Sequence, residues 1–157
     1  MTKRDIVNLH KFIIEIRELE STEESNEFKY TIACIINAIT PELEAIIKMK
    51  ENIEAIIYDY YCDRNILLKE YGEVTEDGKS YRVLSDSKNI VVVREKLIEL
   101  EEKYKVSLDI YRRNSEDFIM FLETPSSVIL PKLEVSYIPK YFTSKDMAFL
   151  IKIGVLL

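Results

Sequence analysis

The first third of the chain carries apolar residues three and four positions apart, which is the period of an amphipathic helix. In the first predicted helix, which starts near Thr2 or Lys3, the apolar stripe consists of Ile6, Leu9, Ile13 and Ile16. A polar stretch at 20–26 predicts a loop. The segment 28–39 is rich in β-branched and aromatic residues, so a strand is an alternative there, but its apolar spacing favours a second helix.

A long helix is predicted over 41–71, because no glycine or proline interrupts the chain between Pro41 and Tyr71. Thr40 stands in the position of an N-cap and Pro41 fits the first turn, so either a new helix begins here or the preceding helix kinks. At 1.5 Å per residue the helix is about 45 Å long. Lys50 and Arg64 occupy two slots of an otherwise apolar heptad-like seam. The apolar positions of that seam are Leu43, Ile46, Ile53, Ile57, Tyr60, Leu67 and Tyr71.

A second heptad helix is predicted over 86–105, and together with the first it forms an antiparallel hairpin. Its seam consists of Ile90, Val93, Leu97, Leu100 and Tyr104. Gly72 is expected to end the first arm as a C′ residue. The acidic turn Glu76-Asp77-Gly78 predicts a small β-hairpin at the tip. The second arm is the shorter one, so we expect the N-terminal helices and the C-terminal helix to cover the overhang.

The pattern changes after Lys105. Apolar residues alternate over 106–111, and short apolar runs follow at 118–122 and 128–135, which predicts extended segments or a small sheet. Thr143 and Asp146 have the spacing of a capping box and predict a last helix that stops at Gly154.

These elements predict a mostly α fold, in which a long antiparallel helical hairpin packs with N-terminal helices and a small α+β part follows. The corresponding domain organisation is a helical domain at 1–105, with hairpin arms at 41–71 and 86–105, and a C-terminal part at 106–157 packed on the same core. Only three glycines and four prolines occur among 157 residues, which favours long helices over a turn-rich β fold.

The net charge of −6 argues against direct binding of nucleic acid, which requires a basic face. Acidic residues crowd one stretch in which only Arg17 opposes them: Glu15, Glu18, Glu20, Glu23, Glu24 and Glu27. This stretch is either a solvated face or a surface that steers a partner. Cys34 and Cys62 are expected to be buried free thiols. The apolar runs are too short for a membrane span, so we predict a cytoplasmic protein without membrane association.

The sequence offers no recognisable catalytic, metal-binding or cofactor-binding motif. His10 is the single histidine, and it lies on a charged amphipathic segment, which favours a surface or interface role over catalysis. Neither the histidine nor the cysteines show the spacing of metal ligands. We therefore predict a non-enzymatic protein without a metal or cofactor.

Tyrosines are the most suggestive side chains of the long helix, because Tyr58, Tyr60 and Tyr61 span most of a turn and cannot share one face. At least one of them should be exposed, and exposed tyrosines commonly anchor protein interfaces. The candidate interface residues are Tyr58, Tyr61, Glu18, Glu20, Glu23, Glu24 and Glu27.

Several segments together resemble a family of small phage-encoded helical-hairpin proteins of unassigned function. The matching segments, in chain order, are Pro41-Glu42-Leu43, the run from Arg64 to Glu73, Glu76-Asp77-Gly78, the Glu-rich helix at 94–104 and the capped helix at 143–153. The segment 118–140 departs from the family pattern, since it is expanded here. No catalytic residue comes with the family.

The resemblance implies a bacteriophage protein that acts in the cytoplasm of an infected bacterial host or in the virion. It leaves two roles open, a virion-structural or assembly protein and an inhibitor of a host defence system, such as an anti-CRISPR protein. In both roles the partner is a protein, which is a second copy, a host protein or a virion protein. A homo-oligomer is expected from the first role.

Overall fold

A computed structural model of the chain describes residues 1–18, 24–75, 78, 80–84 and 88–156, with only the backbone of 17 and 18. Within these residues there are six α-helices, one turn of 3-10 helix at Val135–Tyr137 and one two-stranded sheet. In chain order the main elements are α1 (Lys3–Glu18), α2 (Asn26–Ala55), α3 (Tyr58–Tyr71), β1 (Glu73–Val74), β2 (Tyr81–Arg82), α4 (Ile90–Lys103), α5 (Lys105–Leu122) and α6 (Ser144–Lys152). The predicted fold class, mostly α with a small β part, is confirmed.

The first arm of the hairpin consists of α2 and α3, and its observed limits differ from the predicted ones. α2 passes through Pro41 without interruption, so of the two alternatives, the start of a new helix with an N-cap at Thr40 is wrong. The Thr40 hydroxyl instead donates to the carbonyl of Ile36, at 2.7 Å, as a threonine inside a helix can. The helix breaks after Ala55, where the amide of Ile57 bonds three residues back instead of four.

The second arm consists of α4 and α5, separated only by Tyr104. The amide of Leu108 donates to the carbonyl of Tyr104 at 2.9 Å, so helical hydrogen bonding resumes at once. The extended structure predicted for 106–111 and 118–122 is therefore wrong. The alternation of apolar and polar residues there is part of a heptad seam, which continues from the first half of the arm. Its residues, all half-buried, are Tyr104, Leu108, Tyr111, Ser115, Phe118 and Leu122. The arm ends at Leu122 and not at the predicted residue 105. The predicted start at residue 86 lies outside the described residues.

Ring contacts at both ends of the α3–α4 pair establish that these helices are antiparallel. The rings of Tyr60 and Tyr104 meet edge to face with centroids 5.9 Å apart. At the other end the ammonium group of Lys96 lies over the Tyr71 ring, 5.5 Å from its centroid. Between these contacts the side chain of Leu68 is buried in the seam.

The predicted β-hairpin at the tip is present as the pairing of β1 with β2, in which Glu73 lies opposite Arg82. Gly72 ends α3, but in an extended conformation, not the left-handed one expected of a C′ glycine. A Cβ atom at this position would lie 2.6 Å from the Leu68 carbonyl oxygen and 2.7 Å from that of Arg82. Gly72 is thus required because the end of the helix and the start of the hairpin approach each other closely.

The chain divides into two compact units. The first unit comprises Met1–Lys48 and Phe118–Leu157, and the second comprises Met49–Asp117. The boundary predicted near residue 105 lies inside the second unit, between α4 and α5.

The first unit is built around a core from α1, the first half of α2, α6 and the C-terminal segment. Ile6, Leu9, Ile35 and Ile39 are fully buried there. Phe142 joins two of the helices, because its ring meets those of Phe12 and Phe28 edge to face with centroids 5.7 and 5.6 Å apart. Such edge-to-face pairs add specific geometry to the burial of apolar area.

In the C-terminal part of this unit, the prediction of extended structure at 128–135 is met only in part. Residues 128–134 are not helical, and Leu133 forms an isolated parallel bridge with Leu156, but a 3-10 turn begins at Val135. The capping box is present, since the Thr143 hydroxyl accepts from the Asp146 amide and the Asp146 carboxylate accepts from the Thr143 amide at 2.8 Å. Gly154, with φ of +77°, follows the helix in the left-handed region that favours glycine.

Candidate protein-binding surface

The outer face of α3, turned away from α4, carries a line of exposed and half-exposed apolar side chains. Tyr58, Cys62 and Ile66 are spaced four residues apart and therefore lie above one another on the helix. We call these three residues the α3 stripe. Tyr58 and Ile66 are each 66% exposed, and Cys62 is half-buried. Tyr61, 47% exposed, flanks the stripe, with its ring centroid 5.6 Å from that of Tyr60.

The inner face of the same helix is apolar as well. Tyr60 and Leu68 are buried between α3 and α4. A helix in a globular protein usually has one apolar face and one polar face, and a helix that is apolar on both sides is usually buried on both sides. The outer face of α3 is the exception here, because its apolar side chains have no covering element among the described residues.

The polar link between α3 and α4 centres on Asp63. One of its carboxylate oxygens accepts hydrogen bonds from the Lys103 ammonium group at 2.8 Å and from the Tyr104 hydroxyl at 2.9 Å. The bond from Lys103, helped by that from Tyr104, holds the pKa of Asp63 below its ordinary value. The same bond raises the pKa of Lys103.

The hydrogen bonds that Asp63 accepts from Lys103 and Tyr104 determine the protonation states in this cluster of three side chains. Near neutral pH Asp63 is ionised and Lys103 is protonated, and each stabilises that state of the other. A carboxylate with a lowered pKa is a poor proton donor, and a lysine with a raised pKa is a poor nucleophile. The cluster is suited to joining two helices, not to acid–base catalysis.

Within the stripe, Tyr58 and Cys62 lie about one helical turn apart on α3. Hydrogen bonding to the Cys62 sulfur raises the pKa of the Tyr58 hydroxyl above its ordinary value of 10.0. The same spacing and the same effect occur on α2 at Tyr30 and Cys34. Residue 38, where a third member would lie, is a half-buried alanine, so the pair on α2 does not extend into a stripe.

The two predicted tyrosines are both exposed on α3, and Tyr60 between them is buried, which satisfies the expectation that the three cannot share one face. Sequence reasoning missed Ile66, and it assigned Cys62 to the core. Both cysteines are free, but they are half-buried, so the prediction of buried thiols is wrong. The four-residue spacing of Tyr58, Cys62 and Ile66 was the available signal.

The structure describes only part of the predicted acidic cluster. Glu20, Glu23 and the side chain of Glu18 lie outside the described residues. Glu24 accepts a hydrogen bond from the Tyr141 hydroxyl, and Glu27 is exposed in the first turn of α2. Both described glutamates belong to the first unit, whereas the tyrosines belong to the second.

In the described part of the chain, no group of three or more His, Cys, Asp or Glu residues is arranged to hold a metal ion. One helix, α2, is long and apolar enough to cross a membrane by length and composition alone, a test that core helices of water-soluble proteins also pass. Ile32, Ile35, Ile39 and Leu43 of α2 belong to the core of the first unit.

No family model, curated protein or solved structure matches the chain.

Proposed function

We propose that this chain is a non-enzymatic protein that acts by binding other protein chains, and that the outer face of α3 is its principal binding surface. The observation that carries the proposal is the apolar character of α3 on both sides, with one side buried against α4 and the other exposed. Clustered exposed apolar side chains in a water-soluble domain mark interaction sites. Tyrosine in particular is enriched among the residues that dominate binding energy.

The charged residues around the stripe fit an interface with an apolar centre and a polar rim. Asp59 lies beside the first member of the stripe, and Lys69 lies about one turn beyond the last. Both are exposed. A stripe of this kind can exclude water over its centre while the charges at its ends set the orientation of the partner.

The resemblance to small phage-encoded hairpin proteins supports a role in an infected bacterial cell. Of the two roles that it leaves open, we favour a virion-structural or assembly role, because the exposed surface on α3 is apolar, as in surfaces that join subunits. The alternative is an inhibitor of a host defence system, such as an anti-CRISPR protein. It is favoured by the net charge of −6 and by the exposed Glu27 near Glu24, which suit a basic host protein.

The test compares two double variants in phage-infected cells and in purified virions. Tyr58→Ser/Ile66→Ser removes the ends of the stripe, and Tyr30→Ser/Ile129→Ser removes a tyrosine and an isoleucine elsewhere that are even more exposed. We expect the stripe variant to lose its co-purifying proteins and the control to keep them, with unchanged circular dichroism for both. Binding that is equal in both variants would refute the proposed surface.

The same experiment separates the two roles. A protein present in purified virions, or self-associated in solution, supports the assembly role. A monomer that is absent from virions and captures one host defence protein supports the inhibitor role instead.

A further inference from the structure

We propose that the α3 stripe binds the α3 stripe of a second copy of this chain, with the two helices antiparallel about a twofold axis that passes beside Cys62. This inference rests on the proposed binding surface and names its partner. An interface about a twofold axis uses the same patch on both subunits, so the patch must be complementary to itself. The stripe meets this condition in its apolar positions and in its charges.

The apolar positions are symmetric about Cys62. Tyr58 lies four residues before it and Ile66 four residues after it, which is about one helical turn in each direction. When two such helices run antiparallel, each Tyr58 ring meets the partner's Ile66. The two Cys62 side chains then face each other at the centre, where a small side chain allows the helices to approach.

The charges favour the antiparallel orientation over the parallel one. Asp59 and Lys69 are exposed at opposite ends of the stripe, and neither has an ion-pair partner among the residues described. In the antiparallel pair, each Asp59 comes within reach of the partner's Lys69, so two ion pairs form. In a parallel pair in register, Asp59 would face a second Asp59 and Lys69 a second Lys69, which is repulsive.

The heptad seam is not available for this association, because α3 and α4 already use it within one chain. Tyr60 and Leu68 on α3 and Val93 on α4 are buried there. Self-association through the seam would require the hairpin to open, whereas the stripe is accessible in the closed hairpin. The 14 residues of α3 span about 21 Å. A contact of this length is at the small end of specific interfaces, so the dimer should form reversibly with concentration.

The first experiment measures self-association and traps it at Cys62. Sedimentation velocity of the full chain over a concentration series should show a monomer that converts to a dimer. Mild oxidation with copper phenanthroline should then link two chains through Cys62, because a disulfide requires Cα atoms within about 7 Å of each other. Cys34→Ser should retain the cross-link, and Cys62→Ser should lose it while still forming the non-covalent dimer.

The second experiment determines the orientation. In a background of Cys34→Ser/Cys62→Ser, one sample carries Tyr58→Cys and another carries Ile66→Cys. An antiparallel pair cross-links only when the two samples are mixed, because like positions lie eight residues, or about 12 Å, apart along the axis. Cross-linking within each separate sample would indicate a parallel pair and overturn the inference.

The third experiment tests the charges. Asp59→Lys should weaken the dimer by about tenfold, since two ion pairs become two repulsive contacts. Asp59→Lys/Lys69→Asp should restore most of the loss. A chain that stays monomeric at all concentrations and gives no Cys62 cross-link overturns the inference. The proposed function fails separately, when Tyr58→Ser/Ile66→Ser loses no bound protein.

Discussion

The two units of this chain use apolar residues differently. In the first unit, Met1–Lys48 with Phe118–Leu157, most large apolar side chains point into one core. In the second unit, Met49–Asp117, the described residues bury only Ile53, Ile57, Tyr60, Leu68 and Val93. The same unit exposes more than twice as many large apolar side chains: Met49, Tyr58, Tyr61, Ile66, Val74, Leu84, Val91, Val92, Ile98, Val106 and Ile110.

The difference in burial between the two units follows from the number of elements that enclose the apolar side chains of each. Several helices and the C-terminal segment enclose the core of the first unit, so that side chains such as Leu9 and Val155 have no exposed area. The second unit is an antiparallel helix pair with a short sheet at its tip, and two helices alone leave a seam open along both sides. None of the residues of α5 is buried. We infer that the first unit supplies most of the stability and the second offers surface to a partner.

The largest effect is expected in the core of the first unit. Ile35→Ala should lower the free energy of unfolding by about 3–5 kcal/mol, because the side chain is fully buried and a cavity would remain. Ile36→Ala, on the half-buried neighbouring position, is the control and should cost about 1 kcal/mol. Urea denaturation followed by circular dichroism measures both. A loss below about 1 kcal/mol at Ile35 would show that this core is loosely packed.

A smaller effect is expected from the same substitution in the second unit. Ile57→Ala should cost about 2 kcal/mol, because a thin seam can close over the missing atoms more easily than an enclosed core can. Ile66→Ala, on the exposed stripe, should change the stability by less than about 0.5 kcal/mol in a dilute sample. Seven of the ten tyrosines lie in 49–117, so tyrosine fluorescence reports mainly on this unit. A cost at Ile57 equal to that at Ile35 would contradict the comparison.

The sequence predicted the elements that depend on local signals. The seam of α4, the β-hairpin at the tip and the capping box of α6 all depend on short-range spacing or on one or two side chains. On α3 the predicted seam included Tyr60 but not Leu68, which is buried there. The prediction of extended structure after Lys105 failed because Val106, Leu108 and Ile110 fit a period of two. The period of three and four through Leu108 and Tyr111 became visible only as a continuation of the seam from Tyr104.

Long-range features of the fold were not predictable from one sequence. Pro41 indicates a helix start by its own preferences, but the core contacts of Ile39 and Leu43 on either side keep α2 continuous across it. Of the three residues of the α3 stripe, only Tyr58 was predicted as an interface residue. The signal for Tyr58 was its aromatic side chain. The exposure of Cys62 and Ile66 depends on which face of α3 is turned towards α4, and that is a property of the tertiary structure.

The smallest expected effect is on the pH dependence of stability. It distinguishes the buried carboxylate of Asp5 from the half-buried carboxylate of Asp63. Burial of Asp5 opposes its charge, but the Thr2 amide at 2.9 Å and the Lys152 ammonium group at 3.1 Å outweigh this and leave its pKa below the ordinary 3.8. The bonds from Lys103 and Tyr104 lower the pKa of Asp63 likewise. A carboxyl with a lowered pKa in the folded state stabilises the fold above its ordinary pKa, and this stability is lost as the pH falls through the folded-state value.

We therefore expect the urea concentration at the unfolding midpoint to drop between pH 7 and pH 3. Replacing one of the two carboxyls, as Asp5→Asn or Asp63→Asn, should reduce that drop. Asp5→Asn should reduce it more than Asp63→Asn, because water screens the half-buried carboxylate of Asp63 more than the buried carboxylate of Asp5. Asp117→Asn, at an exposed carboxyl outside the α3 stripe and with no ion-pair partner among the described residues, is the control for the substitution itself. An Asp63→Asn effect larger than that of Asp5→Asn would place more of the electrostatic stabilisation in the second unit and reverse the comparison between the two.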